Sequence, residues 1–259
     1  MRIALAVEYD GAPFCGWQYQ DHSPSVQECV EKALSKVANH PVRVICAGRT
    51  DTGVHATEQI IHFDTEAVRN DHQWVFGANA NLPDSISILW ARHVSNEFHA
   101  RFSAIRRRYR YVILNRRVRP ALQTRRTVWE YRPLDEGRMV EAASYLVGEH
   151  DFSSYRALAC QAKSPVRTLY QLVICRQAEL VILDLEANAF LHHMVRNIAG
   201  VLMTIGAGEK EPNWAQEVLE LRDRTLGGIT APSGGLYLTG VDYPAEFELP
   251  VLSRLPMVW

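Results

Sequence analysis

The sequence predicts an α+β protein made of two related α/β halves, and three observations carry that prediction. Patterns of period two and of helical period alternate along the chain, the alternation restarts near residue 105, and strands and helices occur in comparable proportion on either side. A chain of 259 residues has room for one large domain or two small ones, since domains usually run to roughly 100–200 residues. We therefore expect a first half over residues 1–104 and a second over 105–259. Residue identity between them is too low to demonstrate a repeat.

Ile3, Leu5, Val7 and Tyr9 alternate as a strand that ends in the turn signal Asp10-Gly11. In "SVQECVEKALSKV" the residues Val26, Cys29, Val30, Ala33, Leu34 and Val37 fall at helical spacing, and Ser25 with Glu28 forms a capping box. Strands are predicted at 42–46, 59–64 and 86–94. The second half opens with the strand "RYRYVILN" and a helix near 135–147, followed by strands near 170–176 and 180–186. "NAFLHHMVRNIAGVLMTIG" reads as one long helix stopped by Gly206 and Gly208. A helix at 213–222, a surface loop "LGGITAPSGG" and a strand "GLYLTGVDYP" close the chain.

The bulk numbers narrow the function. Basic and acidic residues nearly balance, 28 against 29, so affinity for a polyanion requires local clustering. Five dispersed cysteines without a C-x-x-C pair suit a reduced compartment. No apolar run approaches the ~20 residues of a membrane helix and the start lacks a signal-peptide core, so a soluble cytoplasmic protein without membrane attachment is expected. No H-E-x-x-H, P-loop, G-x-G-x-x-G or G-x-S-x-G is present, and the expectation is catalysis without metal or cofactor.

The clustering occurs between Arg101 and Arg126, where "RFSAIRRRYRYVILNRRVRPALQTRR" holds ten arginines and no acid. Such cations repel one another unless an anion lies among them, and guanidinium groups match phosphate oxygens, so a nucleic-acid backbone is the expected partner. On the strand, Arg108 and Arg110 face one way, and Tyr109, Tyr111 and Ile113 the other. An aromatic beside basic residues suits a base removed from its stack. For Tyr111 ordinary core packing is the better reading.

"AGRTDTGVHA" contains Asp51-Thr52-Gly53, the tripeptide of aspartic proteases. Those enzymes need two such loops sharing a proton, whereas this chain has one, with Arg49 beside it favouring an ionised carboxylate. A dimeric peptidase is thus the least supported reading. An ionised aspartate on a tight turn suits a nucleophile, a base or an electrostatic stabiliser. His192, His193, Arg196 and Asn197 are placed together on a polar helix face, and His55 either contacts the ligand or orients the Asp51 loop.

"EYDGAPFCGWQ", "GRTDTGVHA", "FHARF", "RRYRY", "HDFSSY", "FLHHMVRNIAG" and "GLYLTGVDYP" occur in an order and spacing that resembles the tRNA pseudouridine synthase A family over nearly the whole chain. One departure is Thr52, where that family more often has alanine. The resemblance implies the pseudouridine synthase fold: two related α/β halves sharing a mixed, largely antiparallel sheet with flanking helices and a cleft between them. It implies isomerisation of uridine to pseudouridine at positions 38, 39 and 40 of the tRNA anticodon stem-loop, by a cytoplasmic homodimer that needs no cofactor.

By the same resemblance Asp51 is the catalytic carboxylate, Arg49 helps extrude the base, Tyr109 stacks on the target uracil, and Arg196 pairs with the aspartate. "FHARF" (Phe98, His99, Ala100, Arg101, Phe102) and "ACQAK" (Ala159, Cys160, Gln161, Ala162, Lys163) correspond to RNA contacts. Arg69, Arg107, Arg108, Arg110 and Arg117 are expected on phosphates. The alternative from a different class is a tRNA-binding module without catalysis, which the arginines and Tyr109 would serve equally well.

Overall fold

The computed structural model describes residues 1–250 and Leu252; residues 251 and 253–259 of the expected second half lie outside the described residues. Two compact units emerge among the described residues, one formed by residues 1–105 with 237–250, the other by Arg106–Leu236. The closing strand groups with the first unit, although it follows the second in sequence. Backbone pairing explains this, because Tyr237 and Leu238 lie parallel to His55 and Ala56.

The first unit contains, in order, β1 (Arg2–Tyr9), α1 (Val26–Ala38), β2 (Ile45–Cys46), β3 (His55–Asp64), α2 (Asp71–Asn79) and β4 (Ile86–Val94). The second carries β5 (Arg106–Asn115), β6 (Val128–Glu130), α3 (Glu136–Ser144), β7 (Gly148–Asp151), β8 (Val166–Gln177), β9 (Leu180–Ala187), α4 (Met194–Gly206) and α5 (Trp214–Leu221). β10 (Leu236–Asp242) follows. Strand order in the first unit is β4-β1-β3-β10, antiparallel except for β10, with β2 on β3. In the second it is β5-β9-β8-β7, antiparallel, with β6 parallel to β5. The expected α+β class is what forms, and among the described residues no helix is long and apolar enough to cross a membrane.

Local chemistry accounts for the details. β1 buries Ala4 and Ala6 as well as the alternating Ile3, Leu5 and Val7, because both of its faces are covered. At α1 the Ser25 hydroxyl accepts the Glu28 amide at 3.3 Å, but the Glu28 carboxylate turns to Lys32 at 2.5 Å, so only half of the capping box forms. α2 was not foreseen from periodicity, since it buries only Trp74 and Ala78. It is set instead by a complete capping box between Asn70 and Gln73 and by the Trp74 ring against Phe63 at 5.2 Å.

α4 is shorter than its apolar pattern suggests. His193 stands at φ 61°, a left-handed conformation that no helix interior accommodates, so the helix starts at Met194 and Phe190 to His193 lie outside it. The shared polar face therefore does not exist. His192 and His193 precede the helix, and Asn197 is buried, 2% exposed, donating to the Tyr155 carbonyl at 2.8 Å. "LGGITAPSGG" also departs from a plain surface loop: Ala231 is buried, and a Cβ on Gly200 of α4 would lie 1.9 Å from the Ile229 carbonyl oxygen.

Candidate active site

In the first unit Asp51 opens a turn closed by the Val54 amide on the Asp51 carbonyl at 3.1 Å, with Gly53 at φ 76°. The stretch from Tyr9 to Trp17 grips this turn. The Tyr9 and Thr50 hydroxyls are 2.8 Å apart in the interior, and the Trp17 amide donates to the Thr50 carbonyl at 3.0 Å. A Cβ at Gly11 would meet the Val54 oxygen at 1.9 Å, and one at Gly16, whose φ is 93°, would meet the Thr50 oxygen at 2.7 Å. Both glycines are thus required by backbone approach. On the other side the fully buried Gln59 donates Nε2 to the Gly48 carbonyl at 2.6 Å and accepts the Gly48 amide at 3.4 Å.

The half-buried Asp51 is therefore carried on a turn fixed from both sides, with Arg49 and Thr52 exposed next to it. Being exposed, Thr52 alters no packing. His55 is buried and stacks on Tyr237 with ring centroids 4.7 Å apart. Its Nδ1 is 3.1 Å from both the Gly11 amide and the Asp10 carboxylate; unprotonated it accepts from the first, and protonated it donates to the second. His55 orients the loop.

"FHARF" forms a turn after β4 whose residues divide by exposure. Phe98 and Ala100 are fully buried, Phe98 against Tyr243 and Phe247, so neither side chain is placed to touch RNA, contrary to expectation. They anchor the turn, and Phe102, 75% exposed, and Arg101 project from it with the guanidinium 5.5 Å from the Phe102 ring. His99 stacks on Phe102 at 4.3 Å and accepts the Arg101 and Phe102 amides at 3.2 Å. The Ala100 amide donates to Nδ1 of His62, whose pKa burial lowers to about 4, with Arg2 adding to the shift. Arg101 shares surroundings with Arg49: burial pushes the Cys46 thiol up to about 12, and both guanidiniums oppose that rise.

In the second unit the ten arginines do have acids among them. β9 lies antiparallel to β5 with Arg110 opposite Asp184 and Arg108 opposite Glu186. Arg110 binds both carboxylate oxygens of Asp184 at 2.7 Å, Arg106 reaches Glu186 at 2.5 Å, and Arg116 reaches Glu179 at 3.0 Å. Two parallel hydrogen bonds thus already engage the Arg110 guanidinium, which weighs against the phosphate contact expected of it. Arg107 donates to the Asn188 carbonyl at 2.9 Å. On the opposite strand face Tyr111 is core, as read, and donates its hydroxyl to the Pro232 carbonyl at 2.7 Å. Tyr109 is partly exposed and held edge-on by Phe190, centroids 5.0 Å apart.

Arg196, in the first turn of α4, donates Nε to the Ala231 carbonyl at 2.9 Å, while the Ala231 amide returns a bond to the Arg196 carbonyl at 3.1 Å. Its charge also reaches the Tyr111 hydroxyl, whose pKa burial raises and Arg196 lowers. Residues 159–163 form a largely exposed loop, and Arg117 is exposed in another. Arg69 lies with Lys36, His72 and Phe76 along a groove of about 440 Å³ beside α2. Sequence reasoning missed Tyr9 and Gln59 behind Asp51, and Phe190 behind Tyr109. Tyr9 and Phe190 do lie in the motifs "EYDGAPFCGWQ" and "FLHHMVRNIAG", whereas Gln59 lies in none.

A tRNA pseudouridine synthase family model matches residues 5–103 and 142–244. The chain is 60% identical to tRNA pseudouridine synthase A of Nitrosococcus oceani over the full length of both chains. It is 58% identical to the Coxiella burnetii protein of that name, covering 99% of this chain and 97% of that one. The Pseudomonas aeruginosa protein of that name is 60% identical over 96% of this chain and 88% of its own. With the aspartate turn and the tyrosine strand built as described, the chain belongs to the tRNA pseudouridine synthase family.

Proposed function

We propose that this pseudouridine synthase isomerises uridines 38, 39 and 40 of the tRNA anticodon stem-loop, with Asp51 as its essential carboxylate. The observation that carries the assignment is the clamped Asp51 turn. Glycine contacts, the Tyr9–Thr50 hydroxyl pair and Gln59 fix the backbone that carries the carboxylate, which is what a nucleophile or base requires of its scaffold. The reaction breaks the N1–C1′ bond, turns the uracil, joins C5 to C1′ and releases the C5 proton. Tyr109, braced by Phe190, is the ring on which the flipped base stacks, Arg49 holds the space the base leaves, and Arg196 is the cation that works with the carboxylate.

Arg101, Phe102 and His99 on the "FHARF" turn, the loop 159–163, and Arg69, Arg108 and Arg117 are assigned to the tRNA backbone. Phe98 and Ala100 act indirectly by anchoring the turn, and Arg110 is assigned to Asp184. Backbone contacts of this kind tolerate different sequences around the target, as action at three neighbouring positions demands. We further assign the working form to a cytoplasmic homodimer.

The test is tritium release from tRNA labelled at uracil C5, compared between wild type and Asp51→Asn. Release by wild type alone, with tRNA affinity retained in the variant, is the expected result. Equal release from both proteins would remove Asp51 from the chemistry. Binding by both without any release would favour the non-catalytic module.

A further inference from the structure

We propose that Thr230, Asn197 and Arg224 form a polar clamp that sets the direction of the Arg196 guanidinium and makes them positioning residues for the isomerisation. The inference rests on the assignment of Arg196 above. All of its parts lie in the second unit.

The clamp is built around a buried amide. Asn197 Nδ2 donates to the Tyr155 carbonyl at 2.8 Å, which fixes the rotamer and turns Oδ1 towards the segment 228–232. That oxygen accepts the Thr230 hydroxyl at 2.6 Å and an Arg224 guanidinium nitrogen at 3.1 Å. The same nitrogen donates to Thr230 Oγ1 at 2.8 Å, and the other terminal nitrogen of Arg224 donates to the Gly228 carbonyl at 2.8 Å. Thr230 is thus both donor and acceptor in a closed network whose members all have partners, an arrangement that rigidifies.

One residue further on, Ala231 holds Arg196 by the two bonds already described, one of them to Nε. Because a guanidinium is planar, a fixed Nε fixes the plane in which the two terminal nitrogens lie. The segment cannot drift away from α4. The Ile229 oxygen occupies the space a side chain would need at Gly200, and the Pro232 carbonyl is held by Tyr111, two residues beyond Tyr109 on β5. The same segment therefore connects the Arg196 end of α4 to the strand that carries the stacking ring.

The isosteric Thr230→Val removes the hydroxyl without changing side-chain volume, and Thr230→Ser restores it. In full-length protein, kcat for tritium release should fall about tenfold in Thr230→Val with KM for tRNA within about twofold of wild type, as expected when a group is misaimed and binding is intact. Thr230→Ser should retain near wild-type kcat, and Arg224→Gln should reproduce the split. Wild-type kcat in Thr230→Val alongside loss of turnover in Arg196→Gln would overturn the clamp while sparing the assignment of Arg196. Wild-type turnover in Arg196→Gln would overturn that assignment and the clamp with it. An equal loss in Thr230→Val and Thr230→Ser, or a rise in KM with kcat unchanged, would also overturn the proposal.

Discussion

The two units fix their functional segments by different chemistry. In the first, glycines at 11 and 16 let chain segments touch, and the amides of Gly11, Ala100, Arg101 and Phe102 donate to imidazole nitrogens of His55, His62 and His99, with the Arg2 guanidinium joining them on the Asn96 and Phe98 carbonyls. In the second, guanidinium groups do it. Arg110 takes Asp184, Arg132 takes Glu130 and Glu209, Arg176 takes Glu136 and the Leu134 carbonyl, and Arg224 takes Asn197 and Thr230. The imidazole acceptors of His62 and His99, whose pKa values burial lowers, fail on acidification, and glycine contacts fail on addition of one carbon. Arginine networks are indifferent to acid until their carboxylates protonate.

The largest separation should come from single methyl groups. Gly11→Ala places a carbon 1.9 Å from the Val54 oxygen, so the backbone must move at the residues that carry Asp51. We expect a loss of about 3 kcal/mol in stability by urea unfolding, together with loss of tritium release. Gly208→Ala is the control, for its Cβ would meet nothing within 4 Å, and only the strain of φ 78° remains. Equal losses in the two variants would show that the Gly11 contact is relieved as cheaply as the strain at Gly208, and that close approach does not fix the Asp51 turn.

Acid sharpens the comparison next. The folded His62 has a pKa lowered by burial from 6.5 to about 4, so between those values the unfolded chain binds more protons. Stability must therefore fall as pH is lowered from 6.5 to about 4, by about 3 kcal/mol at most. The protection of the Ala100 amide, the donor to His62, taken relative to its intrinsic exchange rate at each pH, should fall over that window, while that of β9 amides beside the Arg110–Asp184 pair should not. His62→Gln should flatten the dependence. If both sites respond alike, the division between the units is not one of chemistry.

A smaller effect is expected within the second unit. Tyr111→Phe removes the hydroxyl on the Pro232 carbonyl and should cost about 1–2 kcal/mol. Tyr109→Phe should leave the melting temperature unchanged and lower turnover, because its ring is held by Phe190 independently of the hydroxyl. A stability loss in the second variant, or wild-type turnover, would place Tyr109 with the core.

The same division explains what was legible in the sequence. β1, α1 and β4 could be read almost to the residue because apolar spacing and local caps determine them. The Asp51 turn was visible as a motif, but the glycines that approach it at Val54 and Thr50, Gly11 and Gly16, come from a distant stretch of the chain. The start of α4 was not legible, because Phe190 and Leu191 continue the helical apolar pattern up to a left-handed His193 that no neighbour encodes. Nor was the pairing of the arginines, since Asp184 and Glu186 meet them only through the register of β9 on β5. Asn197 read as surface for the same reason: its partners Tyr155, Arg224 and Thr230 come from three separate stretches.

The smallest effect bears on which arginines read tRNA. Arg110 and Arg117 belong to one run in sequence, yet Arg110 is closed onto Asp184 by two hydrogen bonds at 2.7 Å and Arg117 is exposed in a loop. Arg110→Gln should thus change stability by only about 0.5–1 kcal/mol, and since its positive charge is balanced by Asp184 the salt dependence of tRNA affinity should stay as in wild type. Arg117→Gln should leave stability alone and reduce the slope of log affinity against log salt by about one unit. The reverse pattern would mean that Asp184 surrenders its partner when tRNA arrives, and the arginine network of the second unit would then be a reserve of phosphate ligands as well as a scaffold. An unchanged slope in both variants would move the backbone contacts to the "FHARF" turn, where Arg101 stands over Phe102 in the first unit.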